Sequence, residues 1–368
     1  MKLSRRFAPA FAVAAAIAVV TAAPLSGHVF AAHTAAHAQA AMTGKVGFLF
    51  SDFTTSQRWK FDESYFKKAL HKLDPAITVI VTDAHAAQTN QQNQAKSDLT
   101  RGVKALIDVP VDSGQAAAIV RAAHANKPRV PVLAYDRLIT GAFEDAYASF
   151  NGFNVGVQQG TFIKNHVAKG GTIIEIAGAD TDNNAHLFHA GARSVLDPLI
   201  NSGYYKLGYF KFTPNWDGAT AQQECASALN TLKNKVNGVL VANDNMADYC
   251  ITALKAQGLA GKIPVTGQDA QVSGLQQILL GNQSMTVYKP IKHLADAAAK
   301  IVDTWLHHKV YKGNSAKTQT GAGGTPTFLA PVITVTKANM KATVLKDGYV
   351  TRADLCKGIE SACKAAGI

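Results

Sequence analysis

Two patterns of apolar and polar positions take turns along the chain. Runs that are apolar almost throughout, at 45–50 (KVGFLF), 77–82 (ITVIVT), 105–109 (ALIDV) and 130–135 (VPVLAY), read as strands buried on both faces of a parallel sheet. Between them lie segments with apolar residues at helical spacing. The first is 58–73, where Trp59, Phe66, Ala69, Leu70 and Leu73 recur, followed by 88–101 and 116–125. Asp74-Pro75 closes the first helix, because the residue before a proline is pushed out of the helical region. The alternation restarts after Phe150-Asn151. Helices at 155–167, 185–196, 219–232, 246–256 and 272–280 are interleaved with strands at 172–176, 207–212, 238–242 and 264–267. Two β-α series of similar size predict an α/β chain with two Rossmann-like, doubly wound parallel-sheet domains. Ligands of such sheets bind outside the carboxyl ends of the strands. A cleft between the domains is therefore expected to be lined by 51–59, 108–112, 135–137, 180–184, 215–217, 243–245 and 268–269, which are rich in polar and aromatic residues.

The N-terminus breaks the pattern. Lys2, Arg5 and Arg6 precede an alanine-rich apolar stretch at 11–23, and Ala38-Gln39-Ala40 offers a small-residue cleavage site. Residues 1–40 are therefore read as an export signal, cleaved near Ala40 and sending the chain to the periplasm. A membrane anchor needs about 20 apolar residues in a row, and Pro24, Gly27, His28 and His33 interrupt this one. The remaining length suits two domains, and 47% apolar residues suffice for sizeable cores. Loss of the three basic signal residues takes the formal charge from +12 to +9. The lysines are dispersed, with no run of five like charges, so the excess reads as solvated surface and not as a nucleic-acid interface. Four cysteines in an oxidising compartment suggest disulfides, most economically Cys225–Cys250 and Cys356–Cys363.

Candidate chemistry is sparse. Asp180-Thr181-Asp182-Asn183-Asn184 begins like a calcium loop, but it lacks glycine at the sixth position and has Gly191 at the twelfth. Thr43-Gly44-Lys45 lacks the first half of a phosphate loop, and His307-His308 reads as a surface pair. No cofactor or metal is expected. Instead, Gly267-Gln268-Asp269-Ala270 and Met285-Thr286-Val287-Tyr288-Lys289-Pro290-Ile291 each set one charged group beside a strand end. Such short loops on a rigid frame grip a polar, uncharged ligand through many fixed hydrogen bonds, and a sugar fits that description.

Further motifs carry a resemblance. Lys45-Val46-Gly47 followed by Gln57-Arg58-Trp59 resembles the opening of the periplasmic sugar-binding proteins that feed ABC transporters. Leu133-Ala134-Tyr135-Asp136-Arg137-Leu138-Ile139 and Asp182-Asn183-Asn184-Ala185-His186-Leu187-Phe188-His189-Ala190-Gly191 resemble the D-xylose-binding branch in particular. Ala242-Asn243-Asp244 and the two segments around Asp269 and Lys289 match in the same order, so the resemblance spans about 44–350. It implies the type I periplasmic binding protein fold, with a hinge of three crossings near Phe150-Asn151, 284–287 and 328–332. The lobes would then be 41–150 plus 287–328 and 151–286 plus 329–350, with a tail at 351–368.

Carried over to these positions, the resemblance implies a pyranose stacked on Trp59 and Trp216. Asp136, Asp269, Asn184 and Asn243 would accept hydrogen bonds, and Arg58, Arg137 and Lys289 would donate them. Without it, Trp59 and Trp305 read as helical core and Asp136-Arg137 as a structural ion pair. The implied partners are a monosaccharide such as D-xylose, an ABC permease, and a chemoreceptor or sensor kinase, for a monomer without enzymatic activity. The chain departs from the pattern where Ser51-Asp52-Phe53-Thr54-Thr55-Ser56-Gln57 is longer by about one residue, and at Asn215 and Asp217-Gly218. Arabinose, glucose and galactose therefore stay in play. Two other classes compete: a repressor of the same fold, which would need an N-terminal DNA-binding helix pair, and a secreted glycosidase using Asp136 and Asp269.

Overall fold

The computed structural model describes residues 43–54, 56, 58–313 and 324–368. The segment read as an export signal, Thr55, Gln57 and most of the Gly- and Thr-rich stretch 313–326 lie outside them.

Strands β1 (Gly44–Phe50), β2 (Ile77–Asp83), β3 (Leu106–Asp108), β4 (Val132–Tyr135) and β5 (Ala146–Phe150) alternate with helices α1 (Arg58–Leu73), α2 (Gln88–Thr100) and α3 (Ala117–Ala125). The chain continues through α4 (Gly152–His166), β6 (Thr172–Ala177), α5 (Asn183–Asn201), β7 (Lys206–Phe212), α6 (Gly218–Thr231), β8 (Gly238–Val241), α7 (Asp244–Ala256) and α8 (Val272–Leu280). It closes with β9 (Thr286–Tyr288), α9 (Ile291–Leu306), β10 (Thr327–Ala330), β11 (Ile333–Val335), α10 (Arg352–Cys356) and α11 (Glu360–Ala365). Among the described residues no helix is long and apolar enough to cross a membrane.

Two main sheets result. The first runs β10-β5-β4-β3-β1-β2 and is parallel throughout. The second runs β7-β6-β8, also parallel, and single parallel bridges at Val239–Val265 and Gln268–Val287 extend it. The strand expected at 264–267 is reduced to the first of those bridges. The sequence reading passed over β5, which follows β4 with no helix between. Asp145, just ahead of β5, accepts from Val132 N at 2.9 Å and Arg129 Nη2 at 2.6 Å. These bonds come from residues far from Asp145 along the chain, which local pattern cannot reveal.

The unbroken apolar runs are explained by two-sided burial. In β1, Val46, Phe48 and Phe50 join one core, with Phe66 of α1 and Tyr135 of β4. Leu49 points the other way, into a core shared with Leu106, Val132, Val120 and Ala95. The second sheet divides likewise, with Ile174 and Val239 on one side and Ile173 and Leu240 on the other. Trp305 sits on α9, partly buried against the larger core.

β9 pairs antiparallel with β11 in a small two-stranded sheet, which the Gln268–Val287 bridge ties to the segment after Val265. Thr327–Ala330 pairs parallel with β5 at the edge of the first sheet. Both disulfides are present. Cys225–Cys250 joins α6 to α7, and Cys356–Cys363 joins α10 to α11.

Candidate functional site

Parallel strands deliver their carboxyl ends to one place, and the side chains that follow them meet there. Ser56, Arg58 and Trp59 come after β1, and Asp136 and Arg137 after β4. Asp182, Asn184 and Phe188 come after β6, Trp216 after β7, Asn243 after β8, Gln268 and Asp269 after the Val265 bridge, and Lys289 after β9. All of these line one cleft with ≈ 310 Å³ of atom-free space, and all are buried. Every residue singled out from the sequence as sugar-contacting is among them. Ser56, Asp182, Phe188 and Gln268 were not, although all four stand inside the segments that drew attention.

Arg58 is the central cation. It grips Asp62 through Nε and Nη2, both at 3.0 Å, and turns Nη1 to Asp136 Oδ2 at 2.7 Å. Tyr135 Oη donates to the same Asp62 at 2.5 Å. Because α1 begins at Arg58, the i,i+4 spacing puts Asp62 one turn behind it and fixes the guanidinium plane. Burial alone would raise the Asp136 carboxyl, but Arg58 and Lys289 outweigh it and hold the group below the usual carboxylate range. Asp136 therefore stays ionised as an acceptor. Lys289 Nζ lies 3.6 Å from Asp269 Oδ1 and 3.9 Å from Asp136 Oδ2, close enough to serve both.

Several contacts span the two sheets. Arg137 Nε meets Asp182 Oδ2 at 2.9 Å, while its Nη1 stays on its own side of the cleft and donates to Pro110 O at 3.0 Å. Ser56 Oγ donates to Asp269 Oδ2 at 3.1 Å. Ser113 N donates to Thr181 O at 2.9 Å, and Asn183 N to Ser113 Oγ at 3.1 Å. Asp182 also caps α5 by accepting from Asn184 N at 2.9 Å. Its carboxyl is pushed up by burial, against the pull of Arg137.

The aromatic walls are individually fixed. Trp216 donates Nε1 to Asp182 Oδ2 at 3.1 Å. Its ring lies over Gly178, where a Cβ would run into the indole. The short turn Pro214–Trp216 makes this possible, with Asn215 and Trp216 both at positive φ (54° and 56°). Arg58 stacks 4.5 Å from the Trp59 ring and Arg137 lies 5.7 Å from it. Phe188 meets Trp216 edge-on at 6.2 Å.

A further buried carboxylate, outside the cleft lining, shapes the loop that carries Asp269. Asp244 accepts from Gln283 Nε2 at 2.7 Å, and from Thr286 Oγ1 and Gln271 N at 2.9 Å each. Asp269 itself has φ 90°, its N–H donates to Val287 O at 2.9 Å, and its carbonyl accepts from Tyr349 Oη at 2.9 Å. After this bracing, among the described residues three buried polar atoms of the cleft lack hydrogen-bond partners: Trp59 Nε1, a donor, and Gln268 Oε1 and Asp269 Oδ1, both acceptors, the last facing the charges of Lys289 at 3.6 Å and Arg58 at 3.9 Å. Asn243 spends Oδ1 on capping α7, through Met246 N at 2.9 Å, which leaves its amide nitrogen as a donor. The arrangement offers flat apolar faces, fixed charges and mixed donors and acceptors.

A family model for the periplasmic binding protein domain matches residues 46–309. The D-xylose-binding periplasmic protein of Escherichia coli (strain K12) is 35% identical over 323 residues, which cover 88% of this chain and 95% of that protein. The multiple sugar-binding periplasmic receptor of Rhizobium radiobacter is 32% identical over 279 residues, 71% of this chain and 78% of that one. Among solved structures, an ABC transporter solute-binding protein from Clostridium phytofermentans with bound β-D-glucose superposes with a TM-score of 0.77. It is 28% identical and covers 84% of this chain and 99% of that one.

Proposed function

The chain belongs to the periplasmic binding protein domain family, and from that premise we propose that it is an exported receptor for a monosaccharide, with D-xylose the first ligand to test. The observation that carries this reading is the set of cleft atoms without hydrogen-bond partners, Trp59 Nε1, Gln268 Oε1 and Asp269 Oδ1, in a cleft that the Trp59 and Trp216 indoles also line. A sugar hydroxyl both donates and accepts, and a pyranose ring also has apolar C–H faces, so one molecule answers every feature of that set. D-xylose is favoured by the identity to two D-xylose-binding periplasmic proteins, at 35% each.

In this reading the lobes are built on the two main sheets. They are joined near Phe150-Asn151, between Tyr288 and Ile291, and between Ala330 and Ile333. The bonds that span the sheets, Arg137–Asp182 and Ser56–Asp269 among them, mark the closed form that sugar would favour. That form would deliver its ligand to an ABC permease, without turnover.

The test is tryptophan fluorescence of the chain from residue 41 onward, titrated with D-xylose, L-arabinose, D-glucose, D-galactose and D-ribose, with calorimetry on any hit. Saturable binding of one sugar without product formation is expected. Hydrolysis of aryl glycosides that disappears in Asp269→Asn would replace the receptor by a glycosidase.

A further inference from the structure

Asp74, Asp303 and His307 form a cluster that the binding role leaves unused. It lies at the far ends of two helices that start at the cleft. α1 opens with Arg58 and stops at Leu73, just before Asp74, while α9 opens after Lys289 and carries Asp303 in its last turn. The helices pack side by side. At about 1.5 Å per residue, α1 sets the cluster about 22 Å from Arg58.

The three side chains bring their ligand atoms within 4.8 Å of one another. Asp74 is 2% exposed, its buried Oδ2 meets no N–H or hydroxyl donor, and the Asp303 carboxyl lies within hydrogen-bond reach of the Asp74 carboxyl. Its Oδ1 stands 3.9 Å from His307 Nε2, too far for a hydrogen bond but within reach of one ion bonded to both at about 2.0–2.2 Å. His307 Nδ1 faces Asp303, donating to its backbone carbonyl at 2.9 Å with the carboxylate Oδ1 3.3 Å away. A neutral ring therefore carries its lone pair on Nε2, toward Asp74, which is how metal-bound imidazoles are oriented. Only His308 is exposed as a surface pair requires; the His307 side chain is turned inward and is 14% exposed. Both helices also direct the negative ends of their dipoles here, where two carboxylates add to the same sign. Lys309 acts on Asp303 but is itself exposed to solvent.

We propose that Asp74, Asp303 and His307 bind a divalent transition-metal ion of the Zn²⁺ class that clamps the far ends of α1 and α9. One imidazole with two carboxylates suits Zn²⁺, whereas Ca²⁺ and Mg²⁺ favour all-oxygen shells.

The experiment is calorimetric titration of tag-free, EDTA-stripped protein with ZnCl₂, alongside thermal melts with and without the metal. One Zn²⁺ per chain and a raised melting temperature are expected. His307→Ala and Asp303→Asn should each weaken uptake at least about 100-fold, since even residues that only support ligands contribute 10–100-fold. CoCl₂ should give visible absorption bands that His307→Ala abolishes, while circular dichroism shows that the variants fold. Absent uptake, uptake equal in wild type and variants, or preference for Ca²⁺ over Zn²⁺ would each overturn the assignment.

Discussion

Asn184 Nδ2 donates to Asp136 twice, to its backbone carbonyl and to Oδ1, both at 3.1 Å. Asn184 stands at the start of α5, beyond the second sheet, and Asp136 at the end of β4 in the first, so one amide joins both sides of the cleft. Asp136 sits at φ 60°, an unfavourable conformation for a side-chain-bearing residue. Its carbonyl is also held by Tyr147 Oη at 3.2 Å and Ser149 Oγ at 2.5 Å, which over-determine the turned backbone.

Asn184→Ala should therefore weaken sugar binding by about 10- to 100-fold, the worth of hydrogen bonds to a charged partner. Asn184→Asp should be worse, because it sets a carboxylate against Asp136. Fluorescence titration measures the affinities, and small-angle scattering should show the ligand-saturated variants more open than wild type. Equal affinity in all three proteins would remove Asn184 from the binding set.

Asp269→Asn keeps the shape of the side chain but removes the charge that Lys289 faces at 3.6 Å. It also replaces one of the unpaired acceptors or swaps it for a donor. A loss of about 1.5–3 kcal/mol in binding is expected, or about 10- to 150-fold. Stability should change less, because Tyr349 Oη and Val287 O hold only the backbone of residue 269. Calorimetry on the sugar and a thermal melt separate the two effects.

Gly178→Ala tests the aromatic wall without touching a polar group. A methyl there meets the six-membered ring of Trp216. The indole must tilt, stretching its 3.1 Å bond to Asp182. A shifted emission spectrum of the free protein and weaker binding should appear together. Unchanged emission with wild-type affinity would mean that the ring has room to move without consequence.

The sequence went far toward this site because the fold concentrates it. Once the β-α alternation is recognised, the residues that follow each strand are the ones placed to meet, and Asp136, Asn243 and Asp269 are such residues. Asp182 was quoted within a motif but not singled out. Its partners are Arg137 and the Trp216 indole, 45 and 34 positions away, and no local pattern announces such pairs. Phe188, one turn into α5, was likewise quoted within that motif and not singled out. β5 was missed for the related reason that non-local bonds anchor its entry.

The two disulfides close loops of different size, with sequence separations of 25 and 7. In the chain-entropy account the longer loop contributes about 3.5 kcal/mol and the shorter about 2.3 kcal/mol. The double variant Cys225→Ala/Cys250→Ala should therefore lower the melting temperature more than Cys356→Ala/Cys363→Ala. The first pair also lies in the packed interface of α6 and α7, which widens the gap. Thermal melts under non-reducing conditions rank them, and a larger drop for the tail pair would show that α10 and α11 brace the lobe more than loop length implies.

The last prediction concerns pH. Asp108, at the end of β3, is fully buried and neither carboxylate oxygen has a donor, so burial pushes its pKa up to about 8. In the unfolded chain an aspartate titrates near 3.9. Between those values the folded state holds a proton that the unfolded state has released, so stability falls as pH rises from about 4 to about 8 and levels off above. The slope is on the order of 1 kcal/mol per pH unit for one such group. Asp108→Asn is neutral throughout, so its stability should match wild type near pH 4 and exceed it at pH 8. Glu144, raised by burial to about 7, still supplies a residual slope below that pH in the variant. Urea midpoints at pH 5, 6, 7 and 8 read the difference directly. Parallel curves for the two proteins would mean that Asp108 is ionised in the fold and finds a partner there.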